Sequence, residues 1–242
     1  LNGLPADYLD IKYSCDKCSD TGFCGAEMCS CLKELLLKLA VDELNAHAQI
    51  KLCSFSSFSL NYYKGVTMPD GTNCFESMSK VFNYCVYYTD NFNRNSKSIF
   101  MLGKTGLGKT HLSLAIAEKV IAKGYNVLYD SIINYLRKIE REHFGKSSSD
   151  MDTLEIIMNA DLLILDDLGS EYDTSFYVST IYNIINTRLN KGLPTIISTN
   201  LTPQELENKY EARLISRLFA MYDYLKFVGS DIRHIKKKNG EI

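Results

Sequence analysis

The sequence predicts an α/β protein in which helices flank a parallel central sheet, with a small cysteine-rich segment ahead of it. Three observations carry that prediction. A short apolar run at 98–102 leads straight into Gly103-Lys104-Thr105-Gly106-Leu107-Gly108-Lys109-Thr110, which fits GxxxxGK[ST] and gives way to a helical pattern from His111. A second apolar stretch, 160–169, carries Asp166 and Asp167 at its end, as expected of a buried strand whose C-terminal end meets a ligand. Strand-like and helix-like segments alternate around these two, the pattern of a parallel sheet.

Composition bounds the rest. The chain has 242 residues, 45% of them hydrophobic, enough for one α/β domain and a small appendage. A net charge of -2 excludes a basic protein, so any nucleic-acid contact must come from a local patch. No apolar run approaches the ~18 residues needed to span a bilayer and no secretory segment is present, so a cytoplasmic protein without a membrane partner is expected. Starting at Leu1 rather than Met, the chain is expected to lack its natural start.

The first fifty residues read as a separate unit. Cys15 and Cys18 form a CxxC pair, Asp20-Thr21-Gly22 a turn, and Cys29 and Cys31 a CxC pair. Four thiolates in two close pairs can enclose one Zn²⁺, with Cys24 a spare ligand; reduced thiols or a redox pair are the alternatives. From Leu32 the pattern is helical, with Leu32, Leu35, Leu36, Leu39 and Ala40 on one face, expected to pack on the cysteine turn. His47, at the far end, reads as a surface residue.

Residues 52–73 are rich in Ser, Phe, Tyr and Gly, and Pro69 with Gly65 and Gly71 places a loop at 64–71. Among Phe55, Phe58, Tyr62 and Tyr63, one can stack on a nucleotide base while most fill the core. A helix follows at 75–92 with Met78, Val81, Phe82, Cys85, Val86 and Tyr88 inward; Cys53, Cys74 and Cys85 read as small buried hydrophobes.

The phosphate loop has a direct physical reading. Glycines 103, 106 and 108 let successive backbone N–H groups turn toward phosphate oxygens, Lys109 reaches the outer phosphates, and the Thr110 hydroxyl ligates Mg²⁺. The helix beginning here points its positive dipole end at the same anion. Downstream, a strand at 126–129, a helix at 131–144 and a loop at 145–150 precede the acidic strand end, where Asp166 holds Mg²⁺ and Asp167 orients or deprotonates the attacking water. Glu171 is either an assisting acid or a surface one. A helix at 174–190 and a strand at 195–200 bring Asn200 to the γ-phosphate. Thr202, Pro203 and Glu205 form a helix start with a capping box, and Arg213 and Arg217 lie four apart on the next helix, able to reach a neighbouring subunit's phosphate or simply face solvent. A last strand at 224–228 is followed by a basic stretch at 231–238 that can touch DNA or simply form a solvated tail.

In this order the motifs resemble an AAA+ ATPase. The GKTGLGKTHL, LLILDDLG and RLISRL strings are similar to the bacterial replicative helicase loaders of the DnaC/DnaI type and their IstB relatives, and the Cys15–Cys31 arrangement is similar to the zinc segment of DnaI-like members. The resemblance implies two units, 1–50 facing a helicase and 51–242 an ATPase without a separate C-terminal lid. It implies ATP/ADP, Mg²⁺ and Zn²⁺ as cofactors, Gly103 to His111 with Asp166 as the nucleotide site, Asn200 as sensor 1, Arg217 as an arginine finger acting on the next subunit, and Arg213 as its neighbour. Arg233 falls where a late basic residue occurs, without a clear sensor 2. Asp167 stands where most AAA+ proteins carry Glu, which implies slow hydrolysis. The partners implied are a replicative helicase hexamer, single-stranded DNA and further copies of the chain, with Arg137, Lys138, Arg141, Tyr135 and Phe144 either facing DNA or forming a mixed surface helix. The alternative is an IstB-like ATPase assisting a transposase on duplex DNA.

Overall fold

The computed structural model describes residues 11–25, 27–47, 53–145 and 152–240. Strands β1 (Phe23–Cys24) and β2 (Glu27–Met28) form a small antiparallel hairpin, and helix α1 (Ser30–His47) leads away from it. Two 3₁₀ turns, Phe55–Ser57 and Leu60–Tyr63, precede α2 (Cys74–Asp90). The remainder is β3 (Ile99–Leu102), α3 (Lys109–Ala122), β4 (Val127–Ser131), α4 (Ile132–His143), α5 (Thr153–Asn159), β5 (Leu162–Leu168), α6 (Ser175–Asn190), β6 (Thr195–Thr199), α7 (Pro203–Lys209), α8 (Ala212–Met221), β7 (Asp223–Lys226) and α9 (Ile232–Lys238).

Five strands pair in the order β4-β5-β6-β3-β7, every pairing parallel. The α/β architecture expected from the alternating pattern is the one found. Both faces of the sheet are covered, so alternate residues of each strand enter different layers. Ile99 and Met101 of β3, with Leu162 and Ile164 of β5, pack toward α2 and α3; Phe100 and Leu102, with Leu163 and Leu165, pack toward α4, α5, α6 and α8. This explains why the strands read as unbroken apolar runs.

The helix ends follow from local chemistry. Thr174 caps α6 through the Tyr177 N–H, and Thr202 and Glu205 form the reciprocal capping box on α7. Helix α5 had no counterpart in the sequence reading, although Asp152 caps it through the N–H groups of Leu154 and Glu155. Of the loop expected at 145–150, the part beyond Gly145 lies outside the described residues, as does the expected unit boundary at 50/51.

Two packing results differ from expectation. Leu32 does lie against Gly22 of the cysteine turn, but Leu35, Leu36 and Leu39 are exposed, so the leucine face of α1 is not buried on that turn. The helix instead lies along the edge strand β4, where Asn45 bonds to the backbone; the side chains of Ala40 and His47 fall outside those described. Arg188, on the apolar face of α6, is fully buried. Its guanidinium donates to Thr195 Oγ1 and to the carbonyls of Ile157, Ala160 and Pro194 at 2.7–2.9 Å, tying the end of α5 to the start of β6. Removing it takes a charged donor from each of these four buried acceptors, of which the Pro194 carbonyl keeps the Leu163 N–H. Arg188→Met is therefore expected to destabilise the protein by about 3–5 kcal/mol, read as a lowered urea midpoint with unchanged slope.

Candidate nucleotide and metal sites

The chain enters the phosphate loop from β3, an interior strand between β6 and β7, and leaves it as α3. Gly108 adopts φ 87°, and a Cβ there would lie 2.7 Å from the Phe58 ring. The turn needs glycine for its backbone and for its neighbour. Leu107 is buried and its carbonyl accepts from the Tyr63 hydroxyl at 2.9 Å, which fixes the loop to the segment before α2.

Lys109 is buried, and its ammonium donates to the carbonyls of Gly103 (2.5 Å) and Lys104 (2.9 Å) and to Asn200 Oδ1 (2.6 Å). Gly103 and Lys104 thus contribute through their carbonyls, while Thr105, Gly106, Leu107, Gly108, Thr110 and His111 line the open cleft itself. Burial pulls the Lys109 ammonium down to about 8, against the pull of Asp167 and Asp166. The His111 Nε2 lies 3.0 Å from the Ser54 carbonyl and 3.1 Å from Ser57 Oγ, and its ring meets the edge of Phe58.

Asp166 is buried and its carboxylate collects three hydroxyls: Thr110 Oγ1 at 2.8 Å, Tyr129 Oη at 3.0 Å and Ser198 Oγ. Thr110 and Asp166 therefore stand together where a divalent cation would be held beside a phosphate, a donor set of hard oxygens that fits Mg²⁺. Asp167, next in the chain, has φ 58°, and the β5–β6 register breaks between Leu165 and Leu168. That left-handed residue turns its carboxylate out of the strand alternation and onto Asn200 Nδ2 at 2.8 Å. Burial and the neighbouring Asp166 raise the Asp167 carboxyl above the usual range, opposed by the Asn200 hydrogen bond and Lys109. Asn200 accordingly bridges Lys109 and Asp167 from the end of β6, the strand between the two that carry them.

Some residues lie where the sequence reading did not place them. Glu171 is neither an assisting acid nor a surface one: it is buried, accepts from the Gly169 N–H and the Tyr210 hydroxyl, and pairs with Lys209 at 3.4 Å. The basic tail is not a free tail. Asp231 caps α9, the Ile232 N–H donates to the Gly106 carbonyl at 3.0 Å, and Arg233 and Lys236 line the cleft beside the phosphate loop. No spacing between residues 106 and 233 could reveal this, because it depends on β7 pairing beside β3. Phe58 and Tyr62 line the same cleft, whereas Phe55 and Tyr63 pack in the core. Arg213 and Arg217 are not brought to this cleft; they stack on Tyr182 at 4.5 and 5.4 Å, and Arg217 Nε donates to Asn186 Oδ1.

A second constellation lies around the β1–β2 hairpin, ahead of α1. The thiols of Cys15, Cys18, Cys29 and Cys31 lie within 4.8 Å of one another, with Cys15–Cys29 at 3.9 Å and Cys18–Cys31 at 3.4 Å. A tetrahedral zinc with bonds of about 2.3 Å separates its sulfurs by about 3.8 Å, so the four fit that ion. Asp20, at φ 60°, accepts the N–H groups of Ser14 and Cys15 and holds the first pair in its turn. Cys24 is exposed and bonds to the Lys17 carbonyl, outside the four. One zinc per chain is expected by elemental analysis. Cys18→Ser or prolonged chelation should release it and expose the residues around the cysteine turn to protease while the melting of the α/β domain stays unchanged.

The profile of the IstB-like ATP binding protein family matches residues 87–236, well over half of the chain. The replicative helicase loader DnaC of Escherichia coli (strain K12) is 26% identical over 131 residues, covering 54% of this chain and 54% of that protein. The replicative helicase loader DnaI of Bacillus subtilis (strain 168) is 28% identical over 173 residues, covering 64% of this chain and 54% of that protein. The chain thus spans about half the length of these relatives. Among solved structures, that of the DnaC helicase loader superposes with a TM-score of 0.58 at 23% identity, over 72% of this chain and 98% of the other, a likeness of fold.

Proposed function

The chain belongs to the IstB-like ATP-binding protein family, and from that premise we propose that it is an ATP-hydrolysing helicase loader, which binds a replicative DNA helicase and helps place it on single-stranded DNA. The observation that carries the reading is the convergence, from three adjacent strands, of the Lys109 loop, the Asp166–Asp167 pair and Asn200 around one cleft. The named loader relatives and the zinc-fitting cysteine unit favour a loader over a transposition ATPase.

In this reading the β- and γ-phosphates take over the donors that Lys109 gives to backbone carbonyls. Thr110 and Asp166 would hold Mg²⁺, which supplies charge neutralisation between the outer phosphates. Asp167 accepts the proton of the attacking water, and Asn200, bonded to both Lys109 and Asp167, senses whether the γ-phosphate is present. Arg233 and Lys236 add positive charge from α9. Arg213 and Arg217, which stack on Tyr182 and do not line their own cleft, serve the nucleotide of an adjacent copy, so hydrolysis depends on assembly and is slow in the lone chain. Residues 1–50 form the helicase-facing unit and 51–242 the ATPase, acting in the cytoplasm; among the described residues no helix is long and apolar enough to cross a membrane.

The test is size-exclusion and pull-down with the replicative helicase of the same organism, in ATP and in ADP. A nucleotide-dependent complex near the size of a helicase hexamer is expected. An intact chain that never associates, yet bends duplex DNA beside a transposase, would move the assignment to the transposition branch of the family.

A further inference from the structure

We propose that Tyr129 is a positioning residue for the magnesium-side carboxylate of Asp166, and that Asn45 of α1 sets Tyr129, so that the N-terminal unit acts on the nucleotide site through two side chains. This rests on the nucleotide-site reading above.

The geometry begins at the sheet edge. β4 is an outer strand of the five, bonded to β5 on one side only. Its other edge would present unpaired backbone groups. Asn45 meets them: its Nδ2 donates to the Val127 carbonyl at 2.7 Å, and its Oδ1 accepts the Tyr129 N–H at 3.2 Å. One side-chain amide thus stands in for the peptide of a missing neighbouring strand. The bonds span 82 and 84 positions in sequence, tying the helix that leaves the cysteine unit to one residue of the sheet.

Tyr129 then carries the contact inward. It is paired with Ile164 in the β4–β5 register, and Ser131 with Asp166, so Tyr129 and Asp166 lie on the same face of the sheet. The hydroxyl reaches Asp166 Oδ2, the same oxygen that accepts from Thr110. An oxygen with two donors is fixed in direction, and groups that orient a metal ligand in this way commonly govern metal affinity by 10- to 100-fold. Because the Tyr129 backbone is held from the edge, a shift of α1 displaces the ring and the hydroxyl with it. A partner seated on the N-terminal unit thereby changes how well Asp166 accepts Mg²⁺.

The experiment follows binding of a fluorescent ATP analogue by the full chain, titrated with Mg²⁺ and repeated in EDTA. The proteins are wild type, Tyr129→Phe, Asn45→Ala and the double variant, with urea midpoints measured for each. Tyr129→Phe keeps the ring and is expected to raise the Mg²⁺ concentration for half-maximal response about tenfold, with affinity in EDTA unchanged. Asn45→Ala should shift it the same way by less, and the double variant no further than Tyr129→Phe, the mark of one shared path. An unchanged Mg²⁺ response in Tyr129→Phe overturns the positioning role. Asn45→Ala that lowers only the urea midpoint, or adds fully to Tyr129→Phe, overturns the link to α1. Wild type that binds nucleotide with no Mg²⁺ dependence, or not at all, overturns the site reading itself, an outcome separate from either variant result.

Discussion

Lys109→Ala is expected to weaken nucleotide binding at least about a hundredfold at pH 7 and to abolish nucleotide-dependent assembly, while the melting temperature stays close to wild type. The loss exceeds that of one charge. In the wild type the ammonium is surrounded by the carbonyls of Gly103 and Lys104 and by Asn200 Oδ1, three acceptors that turn toward it. With alanine those oxygens face the phosphates with no cation between, so an attraction becomes a repulsion. The desolvation that holds this cation down to about 8 is relieved when it is removed, which offsets the loss of its three hydrogen bonds, so stability changes little. The same property gives a pH signature. In the free site the ammonium loses its proton near pH 8, and phosphate restores it, so binding takes up a proton above that pH. Wild-type affinity is expected to fall as pH rises through 8, by up to about tenfold per unit, and Lys109→Ala to show no such limb. Calorimetric titration at pH 7 and pH 9 decides it; parallel losses in both proteins would remove Lys109 from the phosphate site.

Which parts of this site were legible in the sequence depends on how far each contact reaches along the chain. The phosphate loop and the Asp166–Asp167 pair were readable because a strand, a turn and a helix start are written in consecutive residues. Asn200 was readable because it ends the next apolar run. The cysteine pairs were readable from spacing. What escaped was set by pairing between distant strands. Arg233 and Lys236 reach the cleft because β7 lies beside β3 and brings α9 over Gly106. Glu171 read as either an assisting acid or a surface one, yet the buried Tyr210 and the partly buried Lys209, from α7 and its end, enclose it. Arg188 escaped because nothing in the helix pattern announces its acceptors, two of them about 30 residues earlier in the chain and two at the start of the next strand. The leucines of α1 illustrate the opposite error. Helical spacing identifies an apolar face but not what covers it, and here the bond that fixes the helix is made by Asn45, a residue that periodicity assigns to the polar side.

Asp167→Asn is expected to lower the ATP turnover rate by about 10²–10³-fold while leaving nucleotide affinity within about twofold, because it removes a proton acceptor and little else. The backbone at 167 is left-handed, a conformation that Asn and Asp adopt more readily than other side chains, so the turn survives the exchange. The acceptor oxygen toward Asn200 survives as well. Asp166→Asn should behave differently, weakening the response to Mg²⁺ first, since Thr110 and Tyr129 both donate to the oxygen it would alter. The left-handed backbone also bears on why an aspartate stands here. A glutamate would extend the reach to water, yet at φ 58° it would add strain of about 1 kcal/mol to the register break within β5. Asp167→Glu is therefore expected to lower the urea midpoint whether or not it raises turnover. Equal stability with faster turnover would show that reach alone had limited the rate; lower stability with unchanged turnover would show that the backbone turn, rather than the length of the acid, sets where the proton acceptor stands.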